Sequence, residues 1–410
     1  MSTAGTSEVE GAGVGAPPAP ARRRRRWLRW VLLALAVAVV LLAGFGAVAS
    51  WRYSSDVVVP DHSGPPYDLE VQAAASGRVT LPRDEDTERP GVYGLEWRGG
   101  HAILGRVVTG DADTVTRRLR AVRGTLRRGT EARIYTNVFH GDPRGARGLP
   151  FESVAVRGEL GPMPAWRIGG RARTWAIFVH GINGDKLAGL RIAPALRAAG
   201  LTSLLISYRE DEGAPASPDG KHHMGLTEWR DLEAAARFAL DRGARRLVLI
   251  GYSMGGAIVT QFMERSPLAE RVEAMVLDAP ALDWSETIEF GARELGLPGV
   301  AAKPVEWAIG LRIDVDWDRL DALRHTDQLA VPTLLFHGLD DDVVPIATSA
   351  ALARALPREV VFERVPHAEH VQSWNVAPAR YERRVRAFLT DLRGGSSRSD
   401  SEVAVSPAGE

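Results

Sequence analysis

The sequence contains no cysteine. Disulfides, thiolate nucleophiles and cysteine metal sites are therefore excluded. Lysine is scarce, confined to Lys186, Lys221 and Lys303, so the basic charge is almost all arginine. Acidic and basic side chains balance at 51 each, and no global field points to nucleic acid or to an acidic partner. No strand precedes Gly11, Gly13 and Gly15, so these glycines do not read as a phosphate loop. The length of 410 residues allows one large domain and something smaller.

The N-terminus is where the composition departs most from a globular chain. Residues 1–26 are rich in Gly, Ala, Pro and Ser, end in Arg22–Arg26, and read as a disordered basic tail. From Val31 to Ala49 every residue is apolar or glycine. At 1.5 Å per residue, roughly 20 such residues cross a ~30 Å hydrocarbon core. Residues 27–50 are therefore expected to be a transmembrane signal anchor, with Trp27, Trp30 and Trp51 at its interfaces. The arginines place the N-terminus in the cytoplasm and the rest of the chain outside. Ala47-Val48-Ala49 also resembles a signal-peptide cleavage site, which would give a secreted domain. The run is longer than the roughly 7–15 residues usual there, which favours the anchor. The other end, residues 394–410, reads as a disordered tail.

Residues 51–150 hold strand-like runs broken by Gly and Pro: Leu69–Ala73, Val92–Trp97, Ala102–Val108 and Arg133–Val138. Thr114 to Arg127 reads as a basic helix. This is expected to be a small β-rich accessory region. From about residue 151 to 393, strand-like and helix-like runs alternate, the pattern of a largely parallel sheet covered by helices. Eight strands are expected: Ser153–Arg157, Ala165–Ile168, Trp175–His180, Thr202–Tyr208, Arg246–Ile250, Ala274–Leu277, Thr333–His337 and Val360–Val365.

Gly251-Tyr252-Ser253-Met254-Gly255 sits between the fifth strand and a helix. That spacing makes a sharp turn which only small flanking residues permit, and it lifts a serine hydroxyl clear of the sheet. Such a hydroxyl becomes a nucleophile when a histidine is in reach to take its proton. Three further motifs lie at strand ends: Val179-His180-Gly181-Ile182-Asn183-Gly184, His337-Gly338-Leu339-Asp340-Asp341-Asp342-Val343-Val344-Pro345, and His370 followed by Ser373-Trp374, Pro378 and Tyr381. Together these resemble an α/β-hydrolase, most like the membrane-anchored or secreted bacterial serine hydrolases related to esterases and acyl-peptidases. The resemblance implies a mostly parallel eight-stranded α/β-hydrolase sheet with a helical lid at about 281–330. It implies a triad of Ser253, Asp341 and His370 in the family's chain order, and an oxyanion hole from the backbone N–H groups of Ile182 and Met254. The family's register selects Asp341 over Asp340 and Asp342, and His370 over His367. His180 is read as structural, and His222 and His223 as an exposed loop pair. No cofactor and no metal are expected.

Residues Arg209–Gly225 and the lid are expected to cover the carboxyl ends of the strands, where substrate binds. Trp284, Phe290, Trp307 and Trp317 of the lid either line an apolar pocket or fix the lid to the core. The expected activity is hydrolysis of a small-molecule carboxylic ester through an acyl-enzyme. Amide or peptide hydrolysis and acyl transfer use the same site, and a non-catalytic surface module is the remaining alternative. No long β-propeller precedes the site, which tilts the reading toward esters.

Overall fold

Where apolar runs exceed the length of a strand, the chain is helical, and the longest is at the start. The computed structural model describes Gly5, Gly13 and residues 21–403, with side chains from 27 to 392. The first helix, Ala21–Val58, contains one segment long and apolar enough to cross a membrane, Trp27–Val58. The last helix runs Pro378–Val403. Helical backbone thus covers 21–26 and 394–403, stretches expected to be disordered. Both extend a helix that already exists, and propagation is far cheaper than nucleation. The rest of those two tails, Gly5 and Gly13 apart, lies outside the described residues. By its contacts the chain divides after Ser50, and the remainder, Trp51–Glu410, forms one unit.

That unit holds two sheets. The first is antiparallel throughout, from β1 (Leu69–Glu70), β2 (Ala73–Ala75), β3 (Arg78–Pro82), β4 (Tyr93–Trp97), β5 (Gly100–Gly110), β6 (Thr114–Arg123) and β7 (Glu131–Tyr135), in the order β1-β7-β4-β5-β6-β3-β2. Strand β6 corrects the helix expected at Thr114–Arg127. Arginine is a good helix former, but Val115, Arg117 and Leu119 alternate inward with period two. Arg117 is fully buried, and its guanidinium donates to the carbonyls of Gly105, Thr87, Arg89 and Gly91. Tertiary acceptors override the local propensity.

The second sheet comprises β8 (Phe151–Arg157), β9 (Pro162–Ile168), β10 (Thr174–Val179), β11 (Thr202–Ile206), β12 (Arg246–Tyr252), β13 (Val272–Asp278), β14 (Thr333–Gly338) and β15 (Val360–Val365). Their order is β15-β14-β13-β12-β10-β11-β9-β8. The pairings from β11 to β15 are parallel, and β8 and β9 add antiparallel at one edge. Both faces are covered, so the central strands read as continuous apolar runs. On β12, Leu247 and Leu249 enter one core, while Val248 and Ile250 enter the core on the opposite face. Between β13 and β14 the chain makes the expected helical insertion, with helices Trp284–Glu294 and Lys303–Gly310 and 3-10 turns at Gly299–Ala302 and Ala322–Leu329.

Candidate active site

Strand β12 ends at Tyr252 and the next helix, Met254–Arg265, begins with a single residue between them. Ser253 alone makes the turn, at φ 53°, ψ −122°, a conformation that costs a non-glycine residue free energy of roughly 1–3 kcal/mol. Close packing explains the small flanking residues. A Cβ on Gly255 would lie 2.6 Å from the His180 carbonyl oxygen, and one on Gly251 2.5 Å from the Gly255 oxygen. The amide of Ser253 is anchored to the Asp278 carbonyl at 3.1 Å.

The loops after β14 and β15 bring two more side chains to this turn. His370 Nε2 lies 2.8 Å from Ser253 Oγ, and its Nδ1 lies 3.0 Å from Asp341 Oδ2. Asp341 is buried, whereas Asp340 and Asp342 are exposed. Its Oδ1 accepts from the amides of Val343 (3.0 Å) and Val344 (2.8 Å), and His337 Nε2 stands 3.3 Å from Oδ2. Burial pushes this carboxyl up, but the His370 charge and the hydrogen bonds from His337 and His370 outweigh it, holding Asp341 well below the usual carboxylate range. His367 points away, exposed beside Asp340.

The loop after β10 closes the site from the other side. A Cβ on Gly181 would lie 2.9 Å from that of Ser253, so the backbone of this loop lies against the serine. Among the described residues, neither the Ile182 nor the Met254 amide is engaged in an internal hydrogen bond. Both remain free to bind an oxygen that gains charge beside Ser253. His180 lies fully buried beneath, with Nε2 2.7 Å from Asp211 Oδ2 and Nδ1 2.9 Å from the Gly181 carbonyl. Burial pushes His180 down, and the Asp211 charge and hydrogen bond overcome it and raise it. Two acceptors suit the doubly protonated ring.

His222 corrects an expectation. It is fully buried, not exposed, with Nε2 3.2 Å from Asn183 Oδ1 and its amide bonded to the Val58 carbonyl. The cover comes from residues 51–58, whose Val58 enters the main core. Of the insertion's aromatics, Trp284 is buried and donates to the Met224 carbonyl, whereas Trp307 is exposed.

Several residues that hold the site were not foreseen. Asp278, at the end of β13, is buried, accepts from Ser373 Oγ at 2.7 Å, and leaves Oδ2 without a partner. Burial pushes it up to about 6, against the Ser373 bond and the Arg191 charge. The segment after His370 is gripped by the first sheet. Asn375 Nδ2 donates to the carbonyls of Val92 and Thr136, and its own carbonyl accepts from the Val92 amide. Tyr93 bonds Gln372, and Arg89 pairs with Glu369, the neighbour of His370. Arg191 reaches the same segment through Val371 O and Asn375 Oδ1. No local pattern advertises these partners, because they lie far apart in the chain. A cleft of about 400 Å³ between Arg89–Pro90 and the Asp340 and His367 loops borders the site. A larger cavity, about 770 Å³, is lined by β8 and the helix Trp229–Asp241 and contains none of the residues above.

Comparison with known proteins adds to this geometry. Residues 196–395 match the model of the prolyl oligopeptidase family, and residues 70–135 match a domain of unknown function, DUF8805. The chain is similar to the esterase YjfP of Escherichia coli, 27% identical over 196 residues that cover 44% of this chain and 73% of the relative. It is also similar to a pimeloyl-[acyl-carrier protein] methyl ester esterase of Legionella pneumophila, 25% identical over 176 residues, 35% of this chain and 72% of the relative. Among solved structures, an esterase of Pyrococcus furiosus aligns with a TM-score of 0.49 at 19% identity, over 62% of this chain and 95% of its own. A serine turn after the central strand of a largely parallel sheet, joined to the prolyl oligopeptidase family match, makes the chain a member of the α/β-hydrolase superfamily, of the serine-hydrolase kind.

Proposed function

We propose that the protein cleaves a small-molecule carboxylic ester through an acyl-enzyme on Ser253. The observation that carries this reading is the continuous chain of contacts from Ser253 Oγ through His370 to Asp341, at 2.8 Å and 3.0 Å. In the proposed cycle, His370 Nε2 takes the Ser253 proton as Oγ bonds to the ester carbon. The carbonyl oxygen becomes an oxyanion facing the amides of Ile182 and Met254. One such donor is worth roughly 3–4 kcal/mol of barrier. Collapse breaks the bond to the alcohol, which leaves with the proton from His370. Water then repeats the sequence on the acyl-enzyme and restores the serine. Asp341 stays ionised throughout and stabilises the imidazolium, in keeping with its lowered affinity for a proton.

The named esterases among the relatives support an ester substrate. The prolyl oligopeptidase family match supports amide or peptide cleavage as the second reading. Residues 27–50 are proposed as a membrane anchor with the N-terminus cytoplasmic and the catalytic unit outside, on the strength of the apolar helix and the arginines before it. A fluorophosphonate probe should label the protein and not its Ser253→Ala variant; labelling that persists in the variant removes Ser253 from the role. Turnover of p-nitrophenyl esters with none of aminoacyl anilides is expected, and the reverse preference selects the second reading. Protease added to intact cells should release the catalytic unit, and protection would contradict the orientation.

A further inference from the structure

The helical insertion carries a surface that the hydrolytic site does not use. Among the described residues beyond Ser50, the large apolar side chains at least half exposed are Trp51, Leu295, Leu297, Val300, Trp307 and Leu311. Five of these six lie in the insertion, within a stretch of 17 residues. A soluble surface scatters such side chains singly, and a cluster marks a place of interaction. Val300, Trp307 and Leu311, with exposed Pro304, recur at helical spacing and form one stripe. Val305, Ala308 and Ile309 fill the opposite side and are buried in the core. The stripe is therefore left over after the helix has satisfied its own packing.

The sixth side chain, Trp51, shows what covers the cluster. Arg312, next to Leu311, donates to the Trp51 carbonyl and to the hydroxyls of Ser54 (2.9 Å) and Ser55 (2.7 Å), and its guanidinium lies 4.7 Å from the Trp51 ring. Tyr53 packs its hydroxyl directly against Gly291. Residues 51–58 and the insertion are thus fastened together inside one unit. The apolar run ends at Ala49, two residues before Trp51. Wherever that run leaves a bilayer, chain connectivity alone holds Trp51 at the exit, and Arg312 holds the stripe to Trp51.

We propose that the exposed apolar cluster of the insertion, Leu295–Leu311 with its helical stripe, docks into the surface of the lipid bilayer in which the chain is anchored. Tryptophan and leucine on one side of a short helix, with the other side bound to protein, suit the boundary between headgroups and acyl chains. The docking rests on residues 27–50 being a membrane anchor, and the test separates the two.

The native chain has no cysteine, so single-cysteine variants of the full-length protein can each carry one nitroxide. Leu297→Cys and Trp307→Cys probe the stripe, with Val300→Cys as a second choice if either misfolds. Leu42→Cys probes the anchor, and Val122→Cys, on β6 in the other sheet, is the aqueous control. In phosphatidylcholine proteoliposomes, accessibility to oxygen, which concentrates in lipid, is compared with accessibility to a water-soluble nickel chelate. The labels at 297 and 307 are expected to favour oxygen over nickel at least severalfold more than the label at 122. A lipid signal at 42 with aqueous signals at 297 and 307 would overturn the docking while leaving the anchor intact. An aqueous signal at 42 would remove the anchor and the docking with it. Dipolar broadening at 297 and 307 that grows with protein-to-lipid ratio, without a gain in oxygen, would assign the stripe to a second copy and overturn the proposal. Fluorophosphonate labelling of the same samples reports the catalytic reading separately.

Discussion

Asn375 offers the sharpest test of how the histidine is held. Its side chain is fully buried and makes three hydrogen bonds: to Val92 O at 2.8 Å, to Thr136 O at 2.9 Å, and from Arg191 Nη1 at 2.8 Å. Asn375→Ala deletes all three and leaves two carbonyls and a guanidinium short of partners in a dry place. At about 1 kcal/mol per net bond, with extra cost for stranded groups, the loss is roughly 3–5 kcal/mol of stability. The consequence for catalysis follows from position. Asn375 closes the segment that begins at His370, and its side chain supplies two of the bonds that tie that segment to the first sheet, beside Tyr93–Gln372 and Arg89–Glu369. A displacement of about 1 Å at a catalytic group costs on the order of 10²-fold in rate. The second-order rate of fluorophosphonate labelling should therefore fall by about 10–10²-fold in conditions where the variant is still folded, judged by urea titration in parallel. A labelling rate within about twofold of wild type, with the stability loss present, would refute the reasoning. The first sheet would then stabilise the fold without positioning the base.

Other outcomes follow from the same geometry. Asp341→Asn keeps the shape of the loop but loses the ionised partner of His370, and labelling of Ser253 should slow by roughly 10³–10⁴-fold; a loss under about tenfold would argue against its role. Ser253 is held at φ 53°, so Ser253→Gly should unfold at higher urea than Ser253→Ala, by about 1 kcal/mol, and equal midpoints would show no strain at the turn. Asp278, pushed up to about 6 by burial, keeps a proton in the folded state that the unfolded chain has released above about pH 4. Native stability should thus fall as pH rises from about 4 to 6, by about 3 kcal/mol from this group, and Asp278→Asn should abolish that part of the slope. Urea midpoints of the two proteins that run parallel across this window would contradict the assignment.

The legible parts of the chain were those set by local physics. Strands β10 to β14 announce themselves because a strand buried on both faces must be apolar at nearly every position, as Leu247–Ile250 is. The serine turn was legible because steric demand at Gly251 and Gly255 leaves a mark in the sequence. Two misreadings, the helix at Thr114–Arg127 and the exposed His222, share one cause, which is a partner supplied from far away. Arg117 is taken from a helix into a strand by carbonyls of residues 87–105. His222 is buried by the segment that follows the apolar run. Residue type alone could not reveal that cover, since arginine is mostly exposed and histidine is found both inside and outside.

The same distinction bears on where the catalytic unit begins. Composition places a boundary near residue 150, where alternating strands and helices take over. Packing places none there. The Val92 amide and carbonyl, the Thr136 carbonyl, Tyr93 and Arg89 all terminate on the segment 369–375. A Cβ on Gly91 would lie 2.5 Å from the Asn375 oxygen, so the two backbones are in direct contact. Cutting the chain at 150 would expose that seam, strand Asn375 and Gln372 at the surface, and free the loop that carries His370. Asn375 and Gln372 lie within five residues of the histidine, so the damage would fall on the Ser253–His370 contact before it fell on the β12–β14 core. Residues 89–136 are thus packed directly on the segment that carries His370, whose Nε2 stands 2.8 Å from Ser253 Oγ.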